Sequence, residues 1–259
     1  MNILDKIIEY KKEEIAVRRT LTPEEELKDS EYFERTPLSL CESLLQKNAT
    51  GIISEFKRKS PSKGFINADA NIVEVTKAYT QNGASGLSIL TDQHFFGGNT
   101  EDLLNARFNN IPILRKEFII DPYQVITSKA IGADVILLIA ACLSVNEVAD
   151  LAALAKELKL EVLLELYDED EIGHICSDVD MIGINNRNLK TFEVDINRSI
   201  ALSKLLPADK IKIAESGIDA PETVLKFKEA GYKGFLMGEA FMKNKQPGEA
   251  LKNFVNELK

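Results

Sequence analysis

The hydrophobic pattern changes character about a fifth of the way along the chain. Over roughly the first 48 residues, apolar positions recur at helical spacing with charges between them, as Ile3, Leu4, Ile7, Ile8 and Ile15 show. Thr22-Pro23-Glu24-Glu25 predicts a second helix, with Thr22 as N-cap and Pro23 at the first helical position. Residues 38–46 predict a third, shorter helix. Beyond that point short apolar runs alternate with amphipathic stretches. The runs, at 51–56, 86–90, 111–114, 134–140, 161–166, 180–184, 210–214 and 234–237, predict strands. Between them 71–81, 145–159, 196–206 and 221–230 predict helices. Asp121-Pro122, Ser144 and Asp219 supply start signals, and Asn82-Gly83, Ile131-Gly132 and Ala230-Gly231 supply stop signals.

Eight strand–helix units, recurring every ~20–35 residues, have the rhythm of a (β/α)8 TIM barrel. A doubly wound sheet would have fewer units and a glycine-rich turn after its first strand, and no GxGxxG follows the first strand here. No linker or low-complexity segment divides the chain. The expectation is one α/β barrel domain over residues 1–259, with 1–48 as an N-terminal helical extension. Whether that extension crosses the barrel's mouth or caps its bottom is open in the sequence.

Composition narrows the classes of function. A chain of 259 residues with 44% hydrophobic content can fill one large barrel. Its net charge of −9 argues against general nucleic-acid binding, so local cationic clusters mark sites for small anions. The first 14 residues are amphipathic and charged, unlike a secretory signal. The longest apolar run, 135–143, is too short to span a bilayer. Cys41, Cys142 and Cys176 are scattered, and His94 and His174 are the only histidines, which suits neither a disulfide framework nor a metal site. A cytoplasmic, metal-free protein with no membrane partner is expected.

In such a barrel the chemistry belongs at the C-terminal ends of the strands. The first run ends in Glu55 and Lys57, which a strand's period of two places on one face. The following loop adds Arg58, Lys59 and Lys63, with Ser60 and Ser62 as hydroxyl donors. The other ends carry Lys116, then Glu165, then Asn185 with Arg187, then Glu215-Ser216-Gly217, then Gly238-Glu239. Parity is consistent, pairing Leu114 with Lys116, Leu163 with Glu165, Gly183 with Asn185 and Ile213 with Glu215. One charged strand end is usually an ordinary barrel edge. Several of both signs around one mouth can hold the shifted pKa values that acid–base chemistry requires. Ser216-Gly217 and Gly238-Glu239 lie in the last two βα loops, where barrels commonly bind phosphate. His94-Phe95-Phe96-Gly97-Gly98 reads equally as a flap over an aromatic substrate portion or as a hydrophobic plug. These residues alone lead to a phosphate-ligand barrel enzyme. A sugar-phosphate isomerase, an aldolase with Lys116 as Schiff-base nucleophile, and a catalytically silent binding barrel all stay open.

Strings along most of the chain go further. They are Ile3-Leu4-Asp5-Lys6-Ile7, Lys57-Arg58-Lys59-Ser60-Pro61-Ser62-Lys63-Gly64, Ser88-Ile89-Leu90-Thr91-Asp92 with Phe95-Phe96, and Leu114-Arg115-Lys116-Glu117-Phe118-Ile119-Ile120-Asp121-Pro122. Gly183-Ile184-Asn185-Asn186-Arg187-Asn188-Leu189, Ala214-Glu215-Ser216-Gly217-Ile218 and Phe235-Leu236-Met237-Gly238-Glu239 follow in order. In these the chain resembles the indole-3-glycerol-phosphate synthase family of tryptophan biosynthesis. Departures are mild: Phe56 stands for a frequent smaller aliphatic residue, Glu117 for a frequent Asp, Asn99 and Ala240 for frequent Ser, and Tyr167 for a frequent His.

The resemblance implies a carboxy-lyase acting on 1-(2-carboxyphenylamino)-1-deoxyribulose 5-phosphate. Its aromatic ring closes onto the ketone, carbon dioxide leaves and water is lost. Lys116 matches the general acid, with a pKa expected to be lowered at a crowded cationic mouth, and Glu165 matches the base of dehydration. Lys57 would pair with Glu55 and meet the substrate anion. Asn185, Arg187 and Glu215 would position hydroxyls and catalytic groups, while Ser60 would meet the carboxylate and Phe96 the ring. No cofactor is implied, because the substrate's own ring is the electron sink. A monomer or weak homo-oligomer is expected, with the small-molecule substrate as partner.

Overall fold

Parallel strands close into a barrel of eight in the computed structural model, which describes residues 3–188 and 193–258. Leu189, the last residue of the Asn-Asn-Arg-Asn-Leu string, lies outside the described residues. The barrel strands are β1 Ile52–Phe56, β2 Gly86–Leu90, β3 Ile113–Lys116 and β4 Val135–Ile139. They continue as β5 Glu161–Leu166, β6 Met181–Asn185, β7 Ile211–Glu215 and β8 Gly234–Met237. Each strand pairs with its successor, and β8 returns to pair with β1 through Ile52 opposite Phe235.

Alternation along the strands builds two cores. Inward residues Ile53, Leu114, Leu137, Leu163, Met181, Ile213 and Leu236 fill the barrel. Outward residues such as Ile52, Ile89, Ile136, Val162, Ile182 and Phe235 pack beneath the surrounding helices. Inward parity therefore carries Leu114 to Lys116, Leu163 to Glu165 and Ile213 to Glu215, as the sequence pattern requires. Stop signals behave as expected, since Gly83, Gly132 and Gly231 all have φ between 84° and 96°, which favours glycine. Ser144 opens its helix with a full capping box to Glu147, and the Asp121 carboxylate accepts from the Tyr123 amide.

Several boundaries differ from the sequence pattern, among them the helix expected over 196–206, which runs Ile196–Leu202. The third strand starts at Ile113 rather than at residue 111, because Pro112 has no N–H to give and only its carbonyl joins the sheet, accepting from the Leu87 amide at 2.9 Å. The second helix is Glu24–Lys28, with an extended Pro23 at its cap position, so Thr22 is one residue too early. The helix expected after Asp219 runs Pro221–Glu229 with Ala220 as the cap residue and no side-chain cap. A small hairpin of Lys59–Ser60 against Gly64–Phe65 also orders the loop after β1.

The residues before β1 occupy both ends of the barrel. Helix Ile3–Leu21 brings Ile3, Leu4 and Ile7 to the mouth. Its second half packs Ile15 with Leu27, Tyr123 and Ile126 on the barrel's flank. Helix Leu40–Leu45 plugs the opposite end, with Leu40 and Leu44 packed in the inner core. At that end the Glu161 carboxylate accepts from Ser39 Oγ and from the amides of Leu40 and Cys41.

Candidate active site

Strand register sets the site's floor. Asn185 lies opposite Glu215, Leu90 opposite Lys116 and Ile139 opposite Glu165, so the polar ends reach one level above the apolar fill. Lys116 stands at the centre, its Nζ 2.6 Å from Glu215 Oε2 and 3.1 Å from Glu165 Oε2. Asn185 Nδ2 donates to the other Glu165 oxygen at 2.8 Å, and Lys57 Nζ pairs with Glu55 at 2.5 Å. Glu55, Glu165 and Glu215 are buried. A cavity of about 520 Å³ opens above them, lined also by Ser60, Phe96, Phe118, Arg187, Ser216, Gly217, Gly238 and Glu239. These residues thus border one space, which Arg58 and Lys59 do not line.

Two glycines make room for the carboxylates. A Cβ on Gly183 would lie 2.1 Å from Glu215 Oε1, and one on Gly238 would lie 2.5 Å from Glu55 Oε1. Gly238 was expected to leave space for phosphate; its tightest constraint is the Glu55 side chain. At the end of β7, Ser216 and Gly217 have φ of 65° and 67°, a left-handed pair that is strained for serine. Buried Asn186 holds that turn by donating to the Ser216 carbonyl at 2.7 Å. Gly183 and Asn186 both stood in the motif strings, but nothing in the sequence showed which neighbours they serve.

The loop after β1 is less cationic towards the cavity than its sequence suggests. Arg58 turns away to form two hydrogen bonds with Asp102 at 2.5 and 3.0 Å, with its guanidinium over the Phe56 ring. Lys59 donates to the His94 carbonyl, and Lys63 pairs with Glu239 at 2.7 Å. The His94–Phe96 segment divides between its two readings. Phe96 lines the cavity beside Phe118, whereas His94 and Phe95 pack on Tyr10 of the first helix. Asn99 caps helix Thr100–Ala106 by accepting from the Asp102 amide, a task a serine would also perform.

Electrostatics overturn one expectation. Burial opposes the charge on Lys116, but Glu165, Glu215 and Glu55 outweigh it and hold the ammonium's pKa above its ordinary value, not below. The reason is local: Lys116 faces carboxylates, while Lys57 is engaged by Glu55 and Arg58 by Asp102. The two carboxyls on Lys116 are pushed apart. Burial and the neighbouring Glu165 drive Glu215 up to about 8 despite the Lys116 contact. Glu165 is also penalised by burial, yet Lys116 and the Asn185 hydrogen bond keep it below its ordinary value. Of the two carboxyls, Glu215 is the one that holds its proton more readily and Glu165 the one that gives it up, beside a charged Lys116. Such an array can donate a proton at one point and accept one nearby.

Comparison with known proteins follows the same direction. Residues 4–254 match the family model described as indole-3-glycerol phosphate synthase. The indole-3-glycerol phosphate synthase of Bacteroides thetaiotaomicron is 46% identical over 259 residues, covering 99% of each chain. That of Acinetobacter baumannii is 44% identical, covering 96% of this chain and 93% of its own. Among solved structures, the tryptophan synthase alpha subunit of Legionella pneumophila superposes with a TM-score of 0.63. It covers 85% of this chain and 96% of its own at 14% identity, a likeness of fold alone.

Proposed function

The chain belongs to the indole-3-glycerol phosphate synthase family, and on that premise we propose how its mouth performs the family's reaction. The enzyme is a carboxy-lyase of tryptophan biosynthesis. Its substrate joins a benzoate to a phosphorylated ketose through an amine. The ring carbon bearing the carboxylate bonds to the ketone carbon, and the ketone oxygen takes a proton to become a hydroxyl. The carboxylate then leaves as carbon dioxide, and its bonding electrons restore the aromatic ring. Finally the hydroxyl departs as water while the new five-membered ring gives up a proton.

Lys116 is the general acid for ring closure, and Glu165 accepts the ring proton in dehydration. Lys57, oriented by Glu55, meets the substrate anion and assists the departing hydroxyl. Asn185 orients Glu165, and Glu215 tunes Lys116. Phe96 and Phe118 wall the aromatic ring, and Ser60 meets its carboxylate. Ser216, Gly217, Gly238, Glu239 and Arg187 surround the phosphate end. The observation that carries this reading is the Lys116 ammonium between Glu165 and Glu215 at the floor of a cavity with an aromatic wall. The same contacts weigh against a Schiff-base aldolase, which needs a neutral lysine amine. The ring supplies the electron sink, so the reaction draws on no cofactor.

We further propose that residues 1–259 act as one barrel domain with 1–48 as its extension, in the cytoplasm, as a monomer or weak homo-oligomer. Among the described residues no helix is long and apolar enough to cross a membrane. The net charge of −9 supports the absence of a nucleic-acid partner. The direct test is to incubate the purified chain with the carboxyphenylamino-deoxyribulose phosphate and follow indole absorbance and fluorescence. The chain has no Trp, so the product signal stands on a low background. Indole formation that disappears with Lys116→Met supports the assignment, and indole formation untouched by that change removes Lys116 from it.

A further inference from the structure

Lys11 is 1% exposed, although it belongs to the helix that precedes the barrel. A buried ammonium is tolerated only when its charge is closely matched. Its Nζ lies 2.6 Å from Glu14 Oε2, 2.9 Å from Asp92 Oδ2 and 3.0 Å from Glu117 Oε1. The Asp92 contact is an ion pair without hydrogen-bond alignment. Glu14 shares the helix with Lys11, while Asp92 and Glu117 follow β2 and β3. The three carboxylates overcome the burial penalty and keep the ammonium charged.

The two barrel carboxylates each grip a stretch of backbone at the cavity. Asp92 Oδ1 accepts from the amides of Phe95 and Phe96 at 2.7 and 3.1 Å. Glu117 Oε1 accepts from the Phe118 amide at 2.9 Å, and its Oε2 accepts from Thr91 Oγ1 at 2.8 Å. The Phe96 and Phe118 rings, 5.9 Å apart between centroids, both face the cavity. One ammonium therefore joins the two supports of the aromatic wall. Next to it, Tyr10 stacks on His94 at 4.4 Å and fixes the flap's other face to the same helix.

We propose that Lys11 is a positioning residue that sets the Phe96–Phe118 slot for the substrate's carboxyphenyl ring. It rests on the assignment of Phe96 and Phe118 to that ring made above. Lys11 touches no reacting atom. Without its charge, buried Asp92 and Glu117 would face each other with only Arg115, 3.7 Å from Glu117, to offset them, and would turn apart. Each would carry its backbone segment with it, opening the slot. The phosphate end should be insensitive, since the described contacts of Lys11, Asp92 and Glu117 reach none of Arg187, Ser216, Gly217, Gly238 or Glu239.

The test uses the full chain, steady-state kinetics, and two competitive inhibitors: 2-aminobenzoate for the aromatic end and inorganic phosphate for the other. Lys11→Met should raise KM and the inhibition constant for 2-aminobenzoate by on the order of tenfold, as small misplacements of binding groups do. Phosphate inhibition should stay unchanged. Lys11→Arg, which keeps the charge, should recover most of the loss. Lys11→Gln gives the same readout if Lys11→Met does not fold. Ile15→Ala loosens the same helix away from the carboxylates and should leave the ratio of the two inhibition constants unaltered. Equal weakening of both inhibitors, no weakening of 2-aminobenzoate, or a selective loss with Ile15→Ala would overturn the role of Lys11. If Phe96→Ala also leaves 2-aminobenzoate inhibition unchanged, the slot itself is misassigned and the inference falls with it.

Discussion

At Lys116, burial and a ring of carboxylates act in opposite directions, and the carboxylates win. A raised pKa keeps Lys116, the proposed general acid, protonated at neutral pH, at the expense of driving force for donation. Whenever Glu215 carries its proton that hold weakens, because its charge is one of those that raise Lys116. Lys116→Met should therefore reduce kcat by ~10²–10⁴-fold while the far-ultraviolet circular dichroism stays that of the parent. Ionisation of Glu215 near pH 8 adds a second full charge 2.6 Å from Lys116 and should make it a poorer acid. The kcat/KM profile should fall above about 8 and lose that limb in Glu215→Gln. Stability should follow the same group. A carboxyl raised in the folded state stabilises the fold below its unfolded value, and the contribution fades as pH rises through about 8. Melting temperatures across that window should drop more steeply for the parent than for Glu215→Gln.

Within the elements, the two ends of the barrel divide stability from chemistry. Strand β5 shows it in a single segment. Glu161 at its start caps the helix that plugs the bottom, and Glu165 near its end faces the cavity. Glu161→Ala removes the acceptor for two helix amides and should lower unfolding free energy by about 1–2 kcal/mol with KM unchanged, read by urea titration and steady-state assay. Strand β6 carries the opposite sensitivity. Gly183→Ala would press a methyl group against the Glu215 carboxylate, with Leu163 Cδ1 also only 3.3 Å from it. It should keep the fold and lose kcat/KM by on the order of tenfold or more. An unchanged kcat/KM would show that Glu215 has freedom to move that its packing does not suggest.

Across the whole molecule, what the sequence revealed was what periodicity encodes. Alternation in eight short runs gave the barrel, and the same parity delivered Lys116, Glu165, Asn185 and Glu215 to one mouth. What it hid depends on distant partners. Nothing near Arg58 announces that Asp102 will turn it away, and nothing in a charged amphipathic helix marks Lys11 as one of the most buried side chains. The direction of the Lys116 pKa failed for the same reason, since it follows from which charges end nearest in space. The extension could not be placed from its own pattern because it covers the mouth with one helix and the bottom with another. In the proposed mechanism this mouth separates an acid step at Lys116 from a later base step at Glu165. Glu165→Gln keeps the shape and hydrogen bonding but cannot take the final proton. In rapid-quench experiments with carboxyl-labelled substrate, carbon dioxide should appear for one turnover while indole formation lags ~10²–10⁴-fold behind. Simultaneous release of both products at the parent rate would exclude Glu165 as the base of dehydration.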